Sequence, residues 1–157
     1  MSYPNKTKTL ELALTIKTGA YVSGRVVGGL LDLNLMCGGG GGGMGIQVVV
    51  SDAANQKKAL KLYLFDGKPT EQLDDAVFGA TFVIGDINKL VAVIDVEAAK
   101  YVTLNSLAYN IIGAPPDTNK YGISHGTGAL YVYLVTNDTP TYGAANALTL
   151  KITGWKD

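Results

Sequence analysis

Arginine, histidine, cysteine and tryptophan each occur once in the 157 residues, as Arg25, His125, Cys37 and Trp155. One cysteine excludes an intramolecular disulfide. Cys37 and His125 alone cannot make the usual four-ligand zinc site. With one histidine, a Ser-His-Asp triad would have to use His125, but Ser124 is its chain neighbour and adjacent side chains rarely reach nucleophile–base geometry. No G-x-S-x-G elbow is present, and a Cys37–His125 dyad is set aside in favour of a small buried thiol and a loop histidine. Charged residues are 17% of the chain, against about 25% in ordinary domains, and 13 cations balance 13 anions. A dedicated nucleic-acid binder would carry a basic excess to displace counterions, so this balance argues against one. No apolar run reaches the ~18 residues that would span a membrane as a helix. The opening MSYPNKTKTL has no apolar leader, so synthesis and assembly in a reducing cytoplasm are expected.

What is abundant is glycine, 20 residues, and short alternating apolar runs. Leu10, Leu12, Leu14 and Ile16 alternate with smaller or polar residues, as do Leu60, Leu62 and Leu64, and Leu148, Leu150 and Ile152. That is the period of half-buried strands. Residues 21–27, 30–37, 46–51, 91–96, 101–104 and 129–136 also read as strands, with a break at Gly28-Gly29. Asp86 to Leu90 reads as a single helical turn capped by Asp86. Residues 115–125 and 137–143 read as loops around Pro115-Pro116 and Pro140. About eight short strands with almost no helical periodicity predict an all-β fold, an antiparallel β-sandwich of jelly-roll type. No fixed repeat is present, which disfavours a solenoid or propeller. The predicted organisation is a polar N-terminal arm over residues 1–9 and one β-sandwich domain over 10–157.

Six consecutive glycines, Gly38 to Gly43, are followed by Met44-Gly45. The run satisfies G-x-G-x-x-G only because any glycine run does, and a strand former (Ile46 to Val50) stands where a dinucleotide site needs a helix. No cofactor is therefore expected. The run is read as a Gly-rich loop at 38–45 that a partner subunit orders on assembly. The acidic residues Asp32, Asp52, Asp66, Asp74, Asp75, Asp86 and Asp95 are scattered, with no EF-hand spacing and no catalytic pair. They are read as solvated turn residues rather than calcium ligands. Nine tyrosines suit half-buried strands, and Tyr121 and Tyr142, placed in loops, are free to face a partner or a sugar. The candidate partner contacts are Ser2, Tyr3, Pro4, Asn5 and Lys6 of the arm, Gly40, Gly42 and Met44 of the glycine run, and Tyr121 and Tyr142.

Five stretches carry a resemblance. Lys58 to Pro69 is similar to an "aldLxLFdxxP" pattern, and Phe82 to Val96, with Gly85-Asp86-Ile87-Asn88-Lys89-Leu90, to its sequel. Gly128 to Thr136, Thr139 to Tyr142 and Leu148 to Ile152 resemble the ends of the same proteins. These are small all-β structural proteins from the gene clusters of tailed bacteriophages and prophages. The resemblance spans residues 10–155 and rests on apolar and turn patterns, so no family site residue comes with it, and the glycine run is not part of it. It implies a virion role, capsid decoration or cement, assembled in the host cytoplasm. The partners it implies are the major capsid protein and further copies of the chain, a homotrimer matching threefold lattice positions. The competing reading is a carbohydrate- or receptor-binding jelly roll in a tail or head fibre, stacking sugars on Tyr121, Tyr142 or Trp155. An enzyme ranks last for want of convergent titratable groups.

Overall fold

The computed structural model describes residues 6–34, 42–112, 121–125 and 129–156. They form an all-β, antiparallel sandwich. The strands are β1 (Lys6–Ala13), β2 (Gly19–Ala20), β3 (Val26–Asp32), β4 (Gly42–Asp52), β5 (Leu60–Phe65), β6 (Leu90–Val96), β7 (Val102–Leu104), β8 (Leu107–Ile112), β9 (Tyr121–His125), β10 (Tyr131–Thr136), β11 (Thr141–Tyr142) and β12 (Leu148–Lys156). Among the described residues a short α-helix, α1 (Ile84–Ile87), precedes β6, and a 3-10 turn (Ala98–Lys100) precedes β7.

Pairing is nested. β1 pairs with β12, β3 with β10, β4 with β8, and β5 with β6, each antiparallel. The outermost strands of the chain meet first and the inner ones follow, as in one long ribbon rolled upon itself. Rolling brings β12 beside β4 and β10 beside β5. The result is a first sheet ordered β1-β12-β4-β8-β7, with β9 also on β4, and a second ordered β3-β10-β5-β6. β2 and β11 form a small third pair.

The alternating leucines fill the space between the two large sheets. Ile46, Val48, Val50, Leu148, Leu150 and Ile152 of the first sheet pack with Val27, Leu62, Leu64, Ile94, Val132 and Leu134 of the second. Register explains the fit: Leu150 lies opposite Val50 and Ile152 opposite Val48, while Leu134 lies opposite Leu62, itself opposite Ile94. Shifting any strand by one residue would turn this row outward.

The second sheet is apolar on its outer face too. Residues 66–89, between β5 and β6, fold back over it and form a second cluster on Val26, Phe65, Tyr133 and Val135. All three phenylalanines of the chain meet there: Phe78 lies 4.3 Å from Tyr63 and 5.2 Å from Phe82, and Phe82 lies 5.8 Å from Phe65, between ring centroids. Such edge and tilted pairs contribute about 0.5–1.5 kcal/mol each beyond burial. The Tyr133 hydroxyl pins the covering segment, accepting from the Gln72 N–H at 2.7 Å and donating to the Thr70 carbonyl at 2.8 Å.

Several expectations need correction. The arm does not extend to residue 9, because Lys6 to Thr9 belong to β1, opposite Lys156 to Thr153. Gly28-Gly29 does not end a strand. β3 runs through both with positive φ, and the register slips between Tyr133 and Leu134 to absorb them. This is a bulge, and Gly28 is needed there: its φ is +80°, and a Cβ would lie 3.3 Å from the Leu14 Cβ. Asp86 is not the cap of its helical turn, which runs Ile84–Ile87 with Val83 before it. Residues 121–125, read as loop, are β9. Residues 42–45, read as part of a loop, belong to β4.

Replacing Tyr133 by Phe keeps the ring but leaves the Gln72 N–H and the Thr70 carbonyl unpaired. The expected loss is about 1–3 kcal/mol, against about 2–5 kcal/mol for Leu134→Ala in the core, both read from urea denaturation. A neutral Tyr133→Phe protein would show that the hydroxyl does not hold the covering segment.

Candidate interaction surfaces

Three carboxylates read as solvated turn groups are instead spent on backbone amides. Asp52, 1% exposed, accepts from the N–H groups of Ala54, Gln56 and Lys57 at 2.8–2.9 Å and organises the turn after β4. Asp74 accepts from the Lys17 N–H (2.8 Å), the Gly28 N–H (2.7 Å) and the Tyr21 hydroxyl (2.8 Å), tying the covering segment to β3 and to the chain between β1 and β3. Beside it, Lys17 Nζ reaches Asp75 at 2.6 Å, a partly exposed pair of small net worth. Burial, and then the bond to Asp74, push the Tyr21 hydroxyl well above its usual range, so it stays a donor at any physiological pH.

Asp86 is the third. Its carboxylate accepts from the Val83 N–H at 2.9 Å and from the N–H and hydroxyl of Thr70 at 2.8 Å each. The Val83 amide is the largest influence holding its carboxyl below the usual range. Burial opposes it, and the two Thr70 donors add to it. Asp86 thus reaches back to the start of α1 and sets its direction. With the polar side of this turn occupied inward, Val83, Ile84 and Ile87 are left facing solvent, Ile84 at 76% exposure. They form an apolar ridge on the covering segment.

A second apolar surface lies on the first sheet. β7 and β8 form a hairpin in which Leu104 faces Leu107 and Val102 faces Tyr109, closed by Asn105 with φ +59°. Asn accepts that left-handed conformation more readily than most residues. Ala108 and Asn110 of β8 point inward and are buried, and the Asn110 amide donates to the Glu97 carbonyl at 2.9 Å. Strand alternation therefore turns Val102, Leu104, Leu107 and Ile111 out, all exposed, Leu104 at 67%. Because the two sheets pack face to face and residues 66–89 cover the second, the ridge and the hairpin surface lie on opposite sides of the sandwich.

The sequence-predicted contacts divide three ways. Lys6, Gly42, Met44 and Tyr121 come together by backbone pairing at one end of the first sheet: Lys6 pairs with Lys156, Lys156 with Met44, and Gly42 to Ile46 with β9, whose Tyr121 is opposite Ile46. Ser2, Tyr3, Pro4, Asn5 and Gly40 lie outside the described residues, as does Cys37. Tyr142 is a correction. It is 1% exposed, its ring packs edge-on against Tyr21 at 5.9 Å, and it offers nothing to a partner or a sugar. A loop tyrosine can be a core residue when its loop pairs, here as β11 with β2.

Among the described residues no three His, Cys, Asp or Glu side chains converge as metal ligands. A shallow groove of about 190 Å³ is lined by Ala53, Ala54, Gly143, Ala144, Asn146 and Ala147, which supply methyls and one amide but no nucleophile or acid. Among the described residues no helix is long and apolar enough to cross a membrane. No protein-family model matches the chain, and no curated protein matches it in sequence.

The sequence reading missed the ridge and the hairpin. For the hairpin a signal was present, Asn105-Ser106 between two apolar pairs, a two-residue turn with a residue suited to positive φ. For the ridge there was none, since its exposure depends on where Asp86 is anchored.

A carboxyl depressed in the folded protein contributes stability that is complete above its unfolded value, about 3.9, and is lost as pH falls through the folded value. Asp86→Asn is therefore expected to lower Tm at pH 7 and to flatten the acid fall of Tm below about pH 4, measured by calorimetry. Parallel acid limbs in the two proteins would contradict this role for Asp86.

Proposed function

We propose that this chain is a virion structural protein, a decoration or cement protein on the outside of a tailed-phage head that bridges major capsid subunits. The observation carrying the reading is the pair of exposed apolar surfaces on opposite sides of one rigid sandwich. Bridging needs at least two contact surfaces, and single exposed patches of this kind mark protein contacts in soluble proteins. The sequence resemblance points the same way.

The strand order supports a finer reading of the fold as a jelly roll, since nested pairs rolled into sheets β1-β12-β4-β8 and β3-β10-β5-β6 are the topology that name describes. In the proposed role modest contacts add through repetition on a lattice, and a cyclic trimer is the oligomer that fits threefold positions. Assembly takes place in the host cytoplasm and the final location is the capsid surface. The competing carbohydrate- or receptor-binding reading loses one of its three aromatic platforms with the burial of Tyr142.

The test is sedimentation of a native lysate from cells producing the particle. Co-migration with megadalton shells, near the stoichiometry of the major shell protein, is expected; a free small species alone would remove the reading. Ile84→Asp combined with Ile87→Asp, at exposed positions, is expected to reduce shell occupancy with Tm nearly unchanged. Undiminished occupancy would exclude the α1 ridge as a shell contact.

A further inference from the structure

β7 is the outer strand of the first sheet. Among the described residues only β8 pairs with it. Edge strands are usually blunted by shortness, a charge, a proline or a bulge; β7 is short, three residues, but Val102-Thr103-Leu104 has no charge, proline or bulge, and all three residues are exposed. The ladder with β8 decides which backbone groups are free. Leu104 and Leu107 flank a two-residue turn and so exchange hydrogen bonds, as do Val102 and Tyr109 one step further on. Alternation then points the N–H and C=O of Thr103 away from β8, toward the open edge.

We propose that this edge pairs with the same edge of a second copy of the chain, antiparallel about a two-fold axis through Thr103. The strand is complementary to itself. With Thr103 opposite its own equivalent, the two residues exchange a pair of backbone hydrogen bonds. Val102 of each copy then stands opposite Leu104 of the other, on the outward apolar side. Pairing is confined to Val102–Leu104, since Ala98–Lys100 form a 3-10 turn before β7 and the chain reverses at Asn105, and none of the three paired residues is charged. Lys100 is paired within its own chain with Glu97 at 3.3 Å. The chain's zero net charge adds no long-range repulsion between copies. An isologous contact of this kind places the same surface on both partners and joins two first sheets into one continuous sheet. It holds whatever role the particle reading is finally given.

Register makes the proposal testable with single cysteines. Directly opposed residues in an antiparallel pair have Cα atoms about 5.5 Å apart when hydrogen-bonded, within the 4.4–6.8 Å that a disulfide spans. In a Cys37→Ser background, which removes the only native cysteine, Thr103→Cys is expected to form a covalent dimer under oxidation with diamide. Lys100→Cys should not, because it lies in the 3-10 turn before β7, outside the paired residues and away from the two-fold axis. The Thr103→Cys protein should cross-link at least about tenfold faster than the Lys100→Cys protein. Adding Leu104→Lys to the Thr103→Cys protein should remove the advantage. Far-ultraviolet circular dichroism and Tm, matched to the parent, confirm that these exposed substitutions leave the fold intact. Equal rates at positions 100 and 103, or no dimer at 103, would overturn the proposal. Neither result would bear on shell binding, which is read separately by sedimentation.

Discussion

Strand β10 carries the architecture. It pairs with β3 on one side and β5 on the other, and it is buried on both faces. Val132 and Leu134 point into the space between the sheets, while Tyr133 and Val135 point into the aromatic cluster beneath residues 66–89. Without the covering segment the outer row would meet water, and without the first sheet the inner row would. The nested pairing gives β10 this position, because the partner of β3 in a rolled ribbon is the strand that then meets β5. Leucine-to-alanine losses of about 2–5 kcal/mol per buried site, set against total stabilities of about 5–15 kcal/mol, make this strand the place where the fold is most easily broken.

The surface features follow from that constraint. Covering the second sheet requires a segment of irregular backbone, and irregular backbone brought against a sheet must have its amides satisfied. Asp74, Asp86 and Gln72 do this, with Gln72 accepting from the Gly79 N–H at 2.9 Å and donating to the Val77 carbonyl at 3.2 Å. With polar side chains turned inward to serve the backbone, the apolar residues of the turn around α1 face outward. The inversion is the reverse of an ordinary surface helix. On the other side, β8 carries Ala108, Asn110 and Ile112 inward and Leu107 and Ile111 outward. Both apolar surfaces therefore sit on backbone fixed by buried hydrogen bonds or by strand pairing, the kind of preorganised surface that loses little entropy when a partner docks.

Much of the sandwich could be read from the chain. Leu10 to Leu14, Leu60 to Leu64 and Leu148 to Ile152 alternate because one side of each faces the core, and the described structure places them there. β8 was missed for the opposite reason: three of its four large residues, Leu107, Tyr109 and Ile111, face outward and only Ile112 packs on the core, so hydropathy alternation points to the wrong side. Gly42 to Gly45 carry no side-chain pattern, and only long-range pairing with β12 and β9 makes them strand. Gly28-Gly29 look like a stop and act as a bulge, which depends on the opposing Tyr133 and Leu134. For the candidate contacts, local sequence could place Tyr142 in a loop but could not see that the loop folds onto Tyr21. Apart from the local β7–β8 hairpin, contacts between residues distant in sequence decided these cases, and composition and periodicity carry none of that information.

Native-state hydrogen exchange tests the central role of β10 most directly. Amides of Val132 to Val135 should exchange only through global unfolding, with the same free energy as the inner part of β5, and the amides of residues 66–89 should open no more than about 1–3 kcal/mol below them. If β10 exchanged through a local opening while β5 and β6 stayed protected, the strand would not be the element on which the two layers and the covering segment depend.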